Sequence, residues 1–441
     1  MVESAGRLSV FVGTAGTAAL NIATTVINFV LALVLTRALG TGGYGAYAYA
    51  FAWATFLSVP ASLGLTPLVI RHVASYAAHE RWGLLKGVIL RTHQVVLASA
   101  VLLMGGGALV GSFVHGSSSE LETPFLIGLL LIPLMSLTSL RQGVLKGFNR
   151  VVLGRVPETL IVPGLFLALA LVAWLALGDG FDASWAVSLN VVAVFFAFAI
   201  GTLLLRRVVP SEVREARAET ETRGWVRSAG PLLAIGVLLV LNGQLGVIAL
   251  GSLADAKAAG IFSVVIKVSA FTSFFYLAAS YPLYPSVARL WALGDTESIE
   301  KLLTRTSRFV LAGSLAIGAV ILVFGGRILE IFGADFDGGG GLTALRILTV
   351  AELVKVAAGY GGLVLMMTPY ERSMMLGTGL GVLCNVPLAL ILIPIWGVSG
   401  AAVALSVSGA VSALAFVWLS RRQVGIYGWA LGGLPRRVSS A

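Results

Sequence analysis

Few residues in this chain could do chemistry, and most of those lie where charge is costly. Lys267, Glu352 and Lys355 fall inside long apolar runs, and Arg346 stands at the outer mouth of the run that holds the last two. An ionisable group within a bilayer costs roughly 2.5–3.5 kcal/mol on insertion scales, so one that persists there faces a cavity or a partner. Lys267 has no carboxylate within a helical turn of it in sequence, which suits it to an anion such as a phosphate. Glu352 and Lys355 are spaced i, i+3 and either neutralise one another on one helix face or contribute to a site. Arg37 ends the first apolar run, where it snorkels to the surface or meets the same anion. Asn28, Asn242 and Gln244 place amides in the first and seventh runs, and such amides hold helices together as often as they bind a substrate. Glu158, just after Pro157, reads as an acid favoured by a helix N-terminus. The candidate binding set is Lys267, Lys355, Glu352, Arg346, Arg37, Asn28, Asn242 and Gln244.

Catalytic constellations are missing from the sequence. It has no paired carboxylates in an extramembrane segment, no Gly-x-Ser-x-Gly elbow and no Gly-x-x-x-x-Gly-Lys phosphate loop. The run Gly338 to Gly341 follows no strand and reads as spacer. His72, His79, His93 and His115 lack the i, i+4 pairing of zinc helices, and the single cysteine, Cys384, makes neither a disulfide nor a thiolate site. No catalytic residue, metal or cofactor is expected. The net charge of +10 is scattered through short loops and not gathered on one soluble face, which argues against nucleic acid as a partner.

The elements that must position these residues are membrane spans. Of 441 residues, 58% are apolar and 11% charged, with a mean hydropathy of +0.95, whereas soluble domains carry about 25% charged residues. Apolar runs near 12–36, 46–69, 92–114, 124–141, 158–177, 184–205, 229–251, 260–284, 308–326, 343–367, 373–394 and 398–419 give about twelve spans of bilayer length. With both termini in the cytoplasm, most cations fall on inner segments, Arg141, Lys146, Arg150 and Arg155 among them. Only Arg37, Lys257, Arg327 and Arg346 fall outside. The first residues lack the basic start and cleavage site of a signal peptide, so the first span is retained. Residues 206–227 mix both signs of charge and read as a solvated linker helix. They join a six-helix lobe over 1–205 to a second over 228–420, followed by a cytoplasmic tail, 421–441.

The second lobe repeats the first: Tyr44-Gly45-Ala46-Tyr47 aligns with Ala259-Gly260-Ile261-Phe262, and Arg71 with Arg289. Two copies of the same sense form a parallel repeat about an axis along the membrane normal, with a central cavity expected between them. Prolines inside spans, Pro60, Pro133, Pro163, Pro282, Pro285 and Pro387, remove helix hydrogen bonds and permit bends.

The hairpin from Asn21 to Arg71 organises the chain. Arg37, Leu39 and Gly40 close its first span, Tyr44-Gly45 opens the second, and Leu63-Gly64-Leu65 precedes Arg71. In this order and spacing the elements resemble the polysaccharide-biosynthesis flippases of the MATE-like exporter superfamily. The resemblance implies an all-α integral membrane protein of two pseudo-symmetric six-helix lobes, V-shaped. It also implies translocation of a polyprenyl- or dolichyl-phosphate-linked sugar or oligosaccharide from the inner to the outer leaflet. Its partners would be the lipid-linked sugar, membrane lipids and glycosyltransferases of the same pathway, in the cytoplasmic membrane of a prokaryote. Two other readings stand beside it. A cation-coupled multidrug antiporter usually relies on acids deep in the first lobe, and none lies deep there. A membrane glycosyltransferase, polymerase or ligase needs a sizeable outer loop, and the outer segments here are on the order of 10–15 residues.

Overall fold

The structure, a computed structural model, describes residues 2–115, 120–220 and 222–426. The tail expected over 421–441 lies outside the described residues from 427 onward. Those described are helical or in turns, with no strand among them. Nine helices are long and apolar enough to cross a membrane, and a pair bent by 52° makes ten. Two of these are broken where a glycine leaves the helical region, at Gly40 (φ 66°, ψ −174°) and Gly397 (φ 53°, ψ −126°). Counting each as two crossings gives the twelve that hydropathy indicates. The chain is an all-α, multi-pass membrane protein. It divides into two compact units, Met1–Gln244 and Leu245–Ala441.

The first unit opens with α1 (Val2–Ala61), kinked at Gly40, so the glycine of the Arg-x-Leu-Gly element is the turn of the hairpin. Leu63 (φ 51°) and Gly64 (φ 65°) then interrupt the chain before α2 (Leu65–Ala78), so the second span is broken where its hydropathy runs on. There follow α3 (Trp82–His115), α4 (Glu122–Gly128), α5 (Leu131–Gly147), α6 (Val151–Val156), a π-helical turn (Pro157–Ile161), α7 (Val162–Leu177) and α8 (Ala183–Val208). The Tyr44–Tyr49 stretch of the hairpin is core. Tyr44 and Tyr49 are 1% exposed, Ala46 and Tyr47 are buried, and Asn190 donates to the Tyr47 hydroxyl at 3.2 Å. A buried tyrosine contributes its ring area to packing provided its hydroxyl finds a partner, as here.

The segment after α8 differs from expectation. Residues 209–219, with α9 (Ser211–Glu215), keep their charged side chains exposed, as a solvated linker would, but lie as a strap on the start of α3. Lys86 donates to the carbonyls of Arg214 (2.5 Å) and Ala216 (2.8 Å), and the Glu219 N–H bonds the Gly83 carbonyl (3.0 Å). The approach is so close that a Cβ on Gly87 would stand 1.6 Å from the Glu219 oxygen. Val213, apolar in a charged run, is 3% exposed and packs with Tyr76, Leu85, Val88 and Val144. Its burial and the strap carbonyls' need for donors hold the segment down while the charges around Val213 stay exposed. Because residues 83–87 and 211–219 touch, they share one face of the membrane. The crossings between them, α3, α4–α5, α6–α7 and α8, are accordingly even in number.

The second unit begins within α10 (Thr222–Leu253). It continues through α11 (Ala256–Ala270), a 3-10 turn (Phe271–Ser273), α12 (Phe274–Ala292), α13 (Thr296–Glu330), α14 (Gly341–Ala357), α15 (Gly361–Met367) and α16 (Glu371–Val424). Its copy of the signature, Ala259-Gly260-Ile261-Phe262, is also fully buried. Here the turn is made by a cap: the Asp255 carboxylate accepts from the Ala258 N–H at 2.6 Å, the task of an N-cap acid. Two spans are interrupted, α11–α12 at the 3-10 turn and α14–α15 at residues 358–360, where Gly359 takes φ 74°.

Candidate functional site

In the second unit the two interruptions are tied together. Glu352, on α14, forms an ion pair with Lys355 one turn later and accepts a hydrogen bond from the Ser273 hydroxyl of the 3-10 turn. Tyr276, at the start of α12, stacks on Tyr360 with ring centroids 4.5 Å apart and planes within 5°. The Tyr276 hydroxyl donates to the Gly359 carbonyl (3.3 Å) and the Tyr360 hydroxyl to the Tyr276 carbonyl (3.2 Å). Each broken backbone thus finds partners on the other, as irregular backbone within a membrane requires. Beside them the Thr272 hydroxyl is buried with no hydrogen-bond partner. Glu352 and Lys355 keep side-chain exposures of 24% and 42%. The arrangement joins a carboxylate, an ammonium and a hydroxyl at a place solvent or a ligand can reach.

The first unit holds a second ion pair, more deeply buried, that sequence reasoning missed. Arg141, read there as a cation of an inner loop, lies within α5, is 1% exposed and forms an ion pair with Glu158. Glu158 therefore does more than favour a helix terminus. Arg141 also donates to the Phe198 carbonyl (2.8 Å) and lies near that of Ala197 (3.4 Å) on α8, with its guanidinium carbon 5.5 Å from the Phe198 ring centre. Gly201 admits it, since a Cβ there would be 2.2 Å from that carbon. The turn carrying Glu158 is π-helical for reasons the sequence supplies. The Val162 N–H bonds the carbonyl of Pro157, five residues back. Pro163 has no N–H to offer the Thr159 carbonyl, and Thr24 on α1 donates to it at 2.9 Å. Gln142 and Lys146 flank Glu158. The Arg141 Nε and Glu158 Oε2 atoms are buried without hydrogen bonds. The one available signal was that Glu158 is a lone acid at the start of a first-lobe apolar run, and an acid buried there calls for a cation nearby.

Of the eight residues singled out from sequence, the structure directly joins Glu352 and Lys355. Lys267, exposed on α11, donates to the Ser263 hydroxyl four residues earlier at 3.2 Å. Arg346 is exposed on α14, and Arg37 and Asn28 are exposed on α1. Asn242 and Gln244 are half-buried on α10. Among the described residues no group of three His, Cys, Asp or Glu side chains is placed to hold a metal ion.

Comparison with known proteins agrees with this architecture. A protein described as "Probable flippase AglR" from Haloferax volcanii is 24% identical over 395 residues, covering 88% of this chain and 78% of its own. Among solved structures, an inward-facing multidrug resistance MATE family transporter of the MOP superfamily superposes with a TM-score of 0.70 at 14% identity, covering 91% of this chain and 94% of that one. A MOP superfamily transporter from Pyrococcus furiosus, described as having a binding pocket of reverse polarity, gives 0.61 at 12% identity and 95% of both chains. At such identities these likenesses establish the fold. The profile of the family described as "Polysaccharide biosynthesis protein" matches residues 11–291, well over half of the sequence, and the chain belongs to that family.

Proposed function

We propose that the protein is a flippase that carries a polyprenyl- or dolichyl-phosphate-linked sugar or oligosaccharide from the inner to the outer leaflet by alternating access. The observation that carries this reading is the family match over residues 11–291. A relative described as a flippase, similar over 88% of the chain, and a transporter fold support it. The protein performs no catalysis in this scheme; glycosyltransferases build the cargo on one face and use it on the other. The chain resides in the cytoplasmic membrane of a prokaryote with both termini inside, as the loop cations favour. Lys267, Arg346 and Arg37 serve the phosphate, with Asn28, Asn242 and Gln244 lining the path and the Glu352–Lys355 pair belonging to the same binding set.

The test is reconstitution. Purified protein in vesicles should move a polyprenyl-phosphate-linked sugar added to one leaflet to the other, where an impermeant periodate or lectin probe detects it. Equal rates in protein-free vesicles, or export of cationic dyes instead, would overturn the flippase reading.

A further inference from the structure

We infer that Ser273, Tyr276, Glu352 and Lys355 form a subsite in the second unit that recognises the sugar of the cargo and not its phosphate; the inference rests on the flippase reading. The first argument is charge. Lys355 is committed to Glu352 in an ion pair, so the cluster as it stands has no net charge and offers a phosphate little. The second is hydrogen bonding. The carboxylate, the ammonium and the Ser273 hydroxyl lie within one bonded group, presenting acceptors and donors side by side. Adjacent hydroxyls of a sugar ring, each both donor and acceptor, match that pattern, and bonds to ionised groups are about twice as strong as neutral ones.

The third argument is the aromatic neighbour. Tyr276 stands three residues after Ser273, and so on the same side of the chain, close enough to feel the Glu352 charge. Its hydroxyl is spent on the Gly359 carbonyl and its ring is held against Tyr360. The half-buried ring is thereby held rigid, with one face taken by Tyr360. The electron-rich face of an aromatic ring attracts the weakly positive C–H groups that line one side of a pyranose. Finally, the cluster sits where two membrane helices are broken, at 271–273 and 358–360, and discontinuous helices are where transporters hold substrate.

The experiment compares ligands that differ only in the sugar. Equilibrium binding to the purified full chain is measured for bare polyprenyl phosphate and for the same lipid carrying glucose, mannose, galactose or N-acetylglucosamine, with flipping measured in vesicles. The wild type should prefer at least one glycosylated lipid over the bare carrier by tenfold or more. Glu352→Gln and Tyr276→Leu should each cut that preference to within threefold. Glu352→Gln should bind the bare carrier more tightly than the wild type, because Lys355 is released, and a monodisperse size-exclusion profile like that of the wild type shows that each variant is folded. Preference unchanged in both variants places sugar recognition elsewhere and overturns the inference. The same holds if Glu352→Gln abolishes only the pH dependence of flipping, which would make Glu352 a coupling group. A wild type that flips glycosylated and bare lipids alike refutes the subsite and leaves the flippase reading standing; one that neither binds nor flips any of these lipids refutes both.

Discussion

Replacing Arg141 by Met should destabilise the first unit by about 3–5 kcal/mol, the usual cost of removing one partner from a buried ion pair. The lower end, about 3 kcal/mol, applies here because the Glu158 side chain is 21% exposed and can recruit water once alone. Methionine keeps the unbranched stem in place, so little of the loss comes from packing. Glu158→Leu alone should cost at least as much, because it leaves the guanidinium, only 1% exposed, without a counter-ion, and its bond to the Phe198 carbonyl offsets only part of that. The double variant, Arg141→Met with Glu158→Leu, removes both desolvation costs together and should return to within about 1 kcal/mol of the wild type. Reversible unfolding in mixed micelles titrated with dodecyl sulfate would measure all four proteins, and the coupling between the sites should offset most of the summed cost of the two single variants. A double variant as unstable as the sum of the two singles would show that the charges do not depend on each other. The π-helical turn would then owe its position to Pro157, Pro163 and Thr24 alone.

Other predictions concern the strap, the orientation and the cations. Gly87→Val cannot coexist with the Glu219 carbonyl at its present position; it should expose Arg214 and Arg217 to trypsin at least tenfold faster, and unchanged cleavage would mean that the strap is not clamped there. In a Cys384→Ala background, Ser211→Cys, exposed on the strap, should resist an impermeant thiol reagent in intact cells and react after lysis; labelling from outside would reverse the orientation. Lys267→Ala should abolish flipping with normal expression while Lys267→Arg retains part of it, and full transport by the alanine variant would remove Lys267 from the phosphate path.

Much of the fold was legible because membrane spans announce themselves by length and hydropathy. Gly40 was readable as a turn because it closes an apolar run just before a second one. The pairings were harder, because they join residues distant in sequence. Ser273 and Glu352 are 79 residues apart, and no periodicity links them. Arg141 was taken for a loop cation because it stands at the edge of an apolar run, where a snorkelling arginine and a buried one look alike. Only the demand of Glu158 for a partner distinguishes them. The strap was hidden by its charges; the clue was Val213, a single apolar residue whose burial needed a neighbour that sequence could not name. The Glu352–Lys355 pair was legible from its i, i+3 spacing alone, since both residues lie on one helix.

The docking of residues 211–219 on the start of α3 also constrains how the protein is made. The ribosome releases α3 well over a hundred residues before the strap that covers it, so Gly83, Gly87 and Lys86 wait bare while four spans enter the membrane. Only when Glu219 has emerged can the strap cover the start of α3, and that happens before most of the second unit has been synthesised. The first half of the chain can therefore reach its finished form while the second is still being translated. Slow synthesis once Glu219 has cleared the ribosome would favour correct assembly, and a ribosome stalled at that stage should already carry a trypsin-resistant strap.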